Sequence, residues 1–161
     1  MKRLLIACAC LLLLTASFPC QASGKDELTF SANLFNGKTG PTVYEANTEF
    51  LVGLTKSLYA GPSVGFWDAG DTDGGRVGVA GKLRIGDGGG FFVRAAAHKL
   101  TGDAADVADY TGEVGAGIDV GGPHAFAEFQ ALQRWSRSST GEISDPEGTA
   151  FTAGLVLRLG K

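Results

Sequence analysis

The chain of 161 residues is poor in four things: cysteine, with three, proline, with five, stretches of helical periodicity, and basic charge, with 14 Lys and Arg against 17 Asp and Glu. Cys8, Cys10 and Cys20 all fall in the first 22 residues. Those residues read as a secretory leader, 1–22: a basic start at Met1-Lys2-Arg3, an apolar run from Leu4 to Phe18, and small residues at the cleavage positions of Cys20-Gln21-Ala22. The run is closed by Pro19 and falls short of the roughly 20 apolar residues of a membrane helix. Ser17-Phe18-Pro19-Cys20 does not supply the small residues that precede a lipoprotein cysteine. Cleavage after Ala22 would leave 23–161 as a single domain without cysteine, which excludes disulfides, thiolate metal sites and a cysteine nucleophile. The same cut would leave 12 basic residues against 17 acidic ones, and that balance offers no footprint for nucleic acid.

What is plentiful is glycine, 25 residues, about twice its usual share of roughly 7%. Glycine costs a helix interior about 1 kcal/mol relative to alanine, so this composition belongs to strands and tight turns. Period-two alternation between turn signals occurs eight times: Leu28 to Asn36, Tyr44 to Leu54, Leu58 to Trp67, Arg76 to Gly86, Phe91 to Leu100, Tyr110 to Val120, His124 to Trp135 and Thr149 to Leu159. Each segment is long enough for a tilted strand to cross a bilayer. Eight of them can close into an antiparallel up-and-down barrel, an all-β fold without edges.

Connections read as alternately long and short. Gly37 to Val43, Asp68 to Gly75, Thr101 to Asp109 and Ser136 to Gly148 are long; Thr55-Lys56-Ser57, Asp87 to Gly90 and Gly121-Gly122-Pro123 are terse. Membrane barrels have this asymmetry, and soluble barrels have no physical reason for it. The strand faces also separate. One carries Leu28, Phe30, Tyr44, Val64, Val79, Val93, Ile118, Leu155 and their like, with no charge in mid-strand. The other carries Glu45, Glu49, Lys82, Arg84, Arg94, His98, Glu113, Asp119, Glu128, Arg134 and Arg158, in which five acids match five permanent bases. Buried charges must be paired, so this balance favours a polar interior and a lipid-facing apolar exterior. The opposite arrangement, with apolar rows inside, would be a soluble periplasmic lipocalin-like carrier of an apolar ligand.

Aromatics gather near strand ends. Phe35, Tyr44, Phe66, Trp67, Tyr110 and Trp135 stand toward the long connections, and Phe30, Tyr59, Phe91, Phe92 and Phe126 toward the terse ones, as two girdles at the headgroup level would require. Lys99, Gln133 and Trp135 carry the outward face into the upper rim, where Lys99 could meet a lipid phosphate.

With these features the chain resembles the small eight-stranded outer-membrane barrels of the OmpA membrane-domain and OmpX type. The resemblance implies a Gram-negative, porin-like architecture, insertion by the outer-membrane assembly machinery, contact with outer-membrane lipids and lipopolysaccharide, and a monomer. Phe151, Leu155, Leu157 and Leu159 supply the alternating last strand of that group, whereas Gly160-Lys161 departs from its usual aromatic end.

Chemistry is sparse. A lipid A acyl-modifying enzyme would place a histidine with a serine and an acid near the outer rim. His98, Asp103, Glu113, Ser136, Ser138 and Ser139 offer the residue types without the spacing, and His98 reads as an interior hydrogen-bonding group. Acidic triplets at Asp68, Asp71 and Asp73, at Asp103, Asp106 and Asp109, and at Glu142, Asp145 and Glu147 read as solvated loop surface rather than a cation site. The expectation is therefore a non-enzymatic barrel without cofactor or metal, acting through acidic outer loops, with a small gated pore as the alternative.

Overall fold

The computed structural model describes residues 25–37, 42–68, 72–85, 90–122, 124–137 and 148–159. The proposed leader, and with it the cleavage after Ala22, lies outside the described residues. Eight strands follow in chain order: β1 (Asp26–Gly37), β2 (Thr42–Gly53), β3 (Leu58–Asp68), β4 (Asp73–Ile85), β5 (Phe91–Gly102), β6 (Tyr110–Gly121), β7 (Ala125–Arg137) and β8 (Gly148–Leu159). A single helical turn, α1 (Ala104–Val107), interrupts the connection from β5 to β6. It falls in a segment whose sequence reads as loop, because four residues are too few to show a 3.6-residue period.

Every strand pairs antiparallel with its sequence neighbours, and β8 pairs with β1, so the sheet closes as an eight-stranded up-and-down barrel. Pairing followed from Val52 through Ala60, Gly81, Ala95, Val114, Gln133, Thr149 and Asn36 returns to β2 at Thr42, a stagger of ten residues. A stagger of this kind goes with strands tilted by about 35–45° to the barrel axis. Hydrogen-bonded rows therefore climb as they run round the wall.

The connections differ from the sequence reading. The elements leave 4, 4, 4, 5, 7, 3 and 10 residues between successive strands, so the alternation of long and short does not hold for the first and third connections. The residues assigned there to loops extend the ladder instead: Asn36 pairs with Thr42, and Asp68 with Asp73. Only the β5–β6 and β7–β8 connections are long, and they share one end of the barrel, here called the outer end. At the other end the β2–β3 turn is closed by hydrogen bonds from the Leu54 and Thr55 amides to the Leu58 carbonyl, 2.9 and 3.1 Å. Thr55 Oγ1 accepts from the Ser57 and Leu58 amides, which holds this turn without a glycine.

Alternation along each strand places the apolar rows outside. Val79 is 63% exposed, Phe151 70% and Ile85 55%, and Leu34, Val114, Ile118 and Leu155 face outward with them. The inward positions carry the buried charges together with small residues and several large apolar side chains, among them Leu51, Phe92 and Val156. A Cβ on inward Gly65 would come within 3.1 Å of Arg76 Cγ and strike Asn47 Oδ1, so glycine there leaves room for the long side chains that fill the lumen.

Candidate functional site

The lumen holds two layers of ionised side chains, and each sums to zero. Toward the turn end stand Glu27, Asp119 and Glu128 with Lys82, Arg84 and Arg158. Glu27 Oε1 accepts from Arg84 Nε at 3.1 Å and Arg158 Nε at 3.3 Å, and its Oε2 from Arg84 Nη2 at 2.9 Å. Arg84 also reaches Glu128 at 3.2 Å and pairs with Asp119, while Lys82 pairs with Glu128 and lies 3.5 Å from Glu27. Above this layer stand Glu45, Glu49 and Glu113 with Arg76, Arg94 and Arg134. Glu45 Oε2 accepts from Asn33 Nδ2 at 2.9 Å, Arg76 at 2.7 Å and Arg134 at 2.6 Å. Glu113 is the hub: its Oε1 accepts from Arg76 at 2.5 Å and Arg134 at 2.6 Å, and its Oε2 from Arg94 at 3.1 Å. Arg94 in turn pairs with Glu49.

All eleven charged or ionisable residues read from the sequence as the polar face point into this lumen. Arg158 is the most accessible, with 19% of its side chain exposed. Glu27 and Arg76 complete the charge count but are missing from the sequence reading, although both lie on the inward parity of their strands, two residues from Thr29 and Gly78. They stand at segment ends, where boundaries are hardest to place.

The aromatic assignments need correction. Phe30, Tyr44, Phe66, Phe91 and Tyr110 are exposed on the outer wall, and Trp135 is half-buried there. Tyr59, Trp67, Phe92 and Phe126 are buried inside the barrel and belong to neither girdle. Successive strand residues point to opposite sides, so Phe66 and Trp67, or Phe91 and Phe92, cannot share a face. Nearness to a strand end is no substitute for parity. Phe35 continues β1 opposite Val43, and its side chain lies outside the described residues. The inward rings meet the lumen's cations: the Arg84 and Arg158 guanidiniums each lie 4.7 Å from the Phe126 centroid, and Lys82 Nζ lies 5.2 Å from that of Phe92.

His98 forms part of the upper layer. Arg76 Nη2 lies 2.6 Å from Nδ1, and because a guanidinium can only donate, Nδ1 accepts and the ring proton sits on Nε2. Nε2 lies 2.9 Å from Ser63 Oγ, and Ser63 Oγ donates to Glu49 at 3.3 Å. This chain runs Arg–His–Ser–Glu. In a hydrolase the histidine nitrogen facing the serine must be free to take its proton; here that nitrogen already carries one. Of the serines considered from sequence, Ser136 stands at the end of β7, and Ser138 and Ser139 lie outside the described residues.

An apolar plug closes the outer end above the charges. Val43, Trp67, Leu100, Ala104, Ala108, Leu132 and Ala150 form one buried cluster drawn from β2, β3, β5, the α1 segment, β7 and β8. The α1 segment is fixed across the mouth by two hydrogen bonds, Leu100 amide to Asp109 carbonyl at 2.9 Å and Asp109 amide to Arg137 carbonyl at 3.0 Å. Gly74 makes room for it, since a Cβ there would stand 2.6 Å from Ala104 Cβ. No group of three or more His, Cys, Asp or Glu suited to a metal occurs among the described residues. Asp71, Glu142, Asp145 and Glu147 lie outside them.

These features can be set beside known proteins. No protein-family model matches the chain, and no curated protein is similar to it in sequence. Solved structures do match. The N-terminal β-barrel domain of Pseudomonas aeruginosa OprF is 17% identical, with a TM-score of 0.54 over 85% of this chain and 100% of that one. The likeness is one of fold: a closed eight-stranded up-and-down barrel. Neisserial surface protein A is 9% identical, with a TM-score of 0.56 over 83% of this chain and 96% of that one. A de novo designed transmembrane β-barrel is 10% identical, with a TM-score of 0.55 over 86% and 98%.

Proposed function

We propose that the chain is a non-enzymatic outer-membrane protein, exported on a cleaved leader at 1–22, inserted by the outer-membrane assembly machinery, and held as a monomeric, closed barrel among outer-membrane lipids and lipopolysaccharide. Its work is done at the outer end, through the β5–β6 and β7–β8 connections with their acidic residues, while the barrel serves as the anchor. One observation carries this reading: exposed apolar rows surround a lumen filled by two electrically neutral layers beneath an apolar plug. Burying six acids and six bases is costly unless every charge is paired and hydrogen-bonded. A carrier for an apolar ligand needs the reverse arrangement, with an apolar lumen and a wetted outside.

The gated-pore reading is the weaker one. Ion passage would require both opening of the Trp67–Leu100–Ala104 plug and separation of the pairs around Glu113. Membrane fractionation with a heat-modifiability gel tests the proposal: the barrel is expected in the outer-membrane fraction, compact in cold detergent and slower-migrating after boiling. Recovery in the osmotic-shock fluid, folded without detergent, refutes it. Planar bilayers separate anchor from pore, with silent traces expected and resolved single-channel steps counting for the pore.

A further inference from the structure

Two cations on the outer wall have no role in the lumen. Lys99 on β5 and Arg137 on β7 both point outward and are exposed. Register places them in one hydrogen-bonded row, Lys99 opposite Tyr110 and Tyr110 opposite Arg137, so the two cations flank an exposed tyrosine. Strands lie about 4.8 Å apart, which sets their Cα atoms roughly 10 Å from one another. Neither forms an ion pair with a carboxylate among the described residues: Asp68 and Asp73 stand together on β3 and β4, and Asp103, Asp106 and Asp109 lie in the β5–β6 connection above the row, where the Asp109 amide donates to the Arg137 carbonyl without its carboxylate pairing with either cation.

Below this row the outward side chains of β7 run Trp135, Gln133, Ala131 and Phe129. Ala131 and Phe129, with Phe151 and Ala153 of β8, line an open apolar groove on the outer wall. Its alanine floor lies between two protruding rings, Phe129 and Phe151. It begins about 13 Å down the strand from Trp135, at 3.3 Å per residue. A charged group facing lipid gains nothing from acyl chains, and near the interface it gains most from a lipid anion. The pattern of two donors, an aromatic platform, an amide and then a groove for hydrocarbon has the polarity sequence of a phosphorylated glycolipid lying along β7.

We infer that Lys99 and Arg137 form a headgroup site for the phosphorylated disaccharide of lipid A, with one of its acyl chains in the Phe129–Phe151 groove. This rests on the outer-membrane reading and assigns it a fixed lipid. The protein cations take the place of the divalent ions that otherwise bridge neighbouring lipid phosphates.

The test uses the barrel refolded into phosphatidylcholine vesicles, then transferred to detergent with bisphosphorylated lipid A, lipid A lacking both phosphates, or phosphatidylglycerol. Retention is measured by native mass spectrometry and affinity by the shift in melting temperature. Bisphosphorylated lipid A is expected to be held more tightly than either alternative. Lys99→Gln and Arg137→Gln should each weaken it about tenfold, the scale of one charge-assisted hydrogen bond. Ala131→Phe, which fills the groove, should weaken it without altering its dependence on phosphate. Lys56→Gln, at a turn on the far end, should change nothing.

Equal retention of the lipid without phosphates, unchanged affinity in the double variant Lys99→Gln/Arg137→Gln, or an equal loss in Lys56→Gln would overturn the site. Preference for phosphatidylglycerol would overturn the assignment to lipid A. If the wild-type chain stays folded in buffer and never enters vesicles, it is the outer-membrane reading that fails.

Discussion

Replacing Glu113 by Gln keeps the shape of the hub and removes its charge. The upper layer then holds three guanidiniums over two carboxylates, with Arg76, Arg94 and Arg134 each losing an ionic acceptor. Uncompensated charge in a buried set costs about 3–5 kcal/mol, and the lower end applies here because the amide oxygen still accepts hydrogen bonds. The double variant Glu113→Gln/Arg76→Met is the decisive comparison. It leaves Glu45 with Arg134 and Glu49 with Arg94, two intact pairs and no surplus charge. The double variant should therefore be more stable than the sum of the singles implies, by about 1–3 kcal/mol of coupling. Urea unfolding in lipid vesicles, followed by tryptophan emission and checked by gel mobility, gives each free energy from the midpoint and slope. Singles that add without coupling, or an unchanged midpoint in Glu113→Gln, would mean that the layer is open to water and the pairing argument is wrong.

Three further outcomes follow from the same geometry. In Trp67→Phe, the remaining Trp135 should be quenched by brominated acyl chains, and in Trp135→Phe the remaining Trp67 should be shielded; equal quenching would mean that the wall is wrongly oriented. Gly74→Val should clash with both the Thr101 carbonyl and Ala104 of α1, costing about 1–3 kcal/mol by overpacking; a red shift of Trp67 emission would show that α1 moves off the mouth, whereas an unchanged Trp67 spectrum would show that α1 does not bear on β4. Nitrogen NMR of the folded barrel should find the His98 proton on Nε2, and a proton on Nδ1 would contradict the Arg76 contact and reopen a catalytic arrangement with Ser63.

The barrel is legible in the sequence because period-two alternation is a local property repeated eight times, and because closure follows from strand number. The acid–base balance of the polar face is legible for a similar reason: charges must match where water is scarce, so counting them separates a lumen from a solvated surface. Nearness to a strand end does not reveal which way a ring points: alternation turns Tyr59, Phe92 and Phe126 inward although each stands near the terse turns. The partners of each charge were not legible. Arg134 meets Glu45 across 89 residues of chain, and that meeting depends on a ten-residue stagger which no local pattern encodes. Ser63 gave no signal either, since a lone serine between Pro62 and Val64 acquires meaning only when β5 brings His98 beside it.

The cancellation of charge within each tier of the lumen also governs how the molecule responds to a field. A charge moved through a membrane potential gains about 2.3 kcal/mol per 100 mV, but six positive and six negative groups held at matched depths present no monopole for a voltage to push. In the proposed membrane setting, a voltage should therefore exert no net force on either tier as a rigid unit, and the barrel should not shift along its axis under bias.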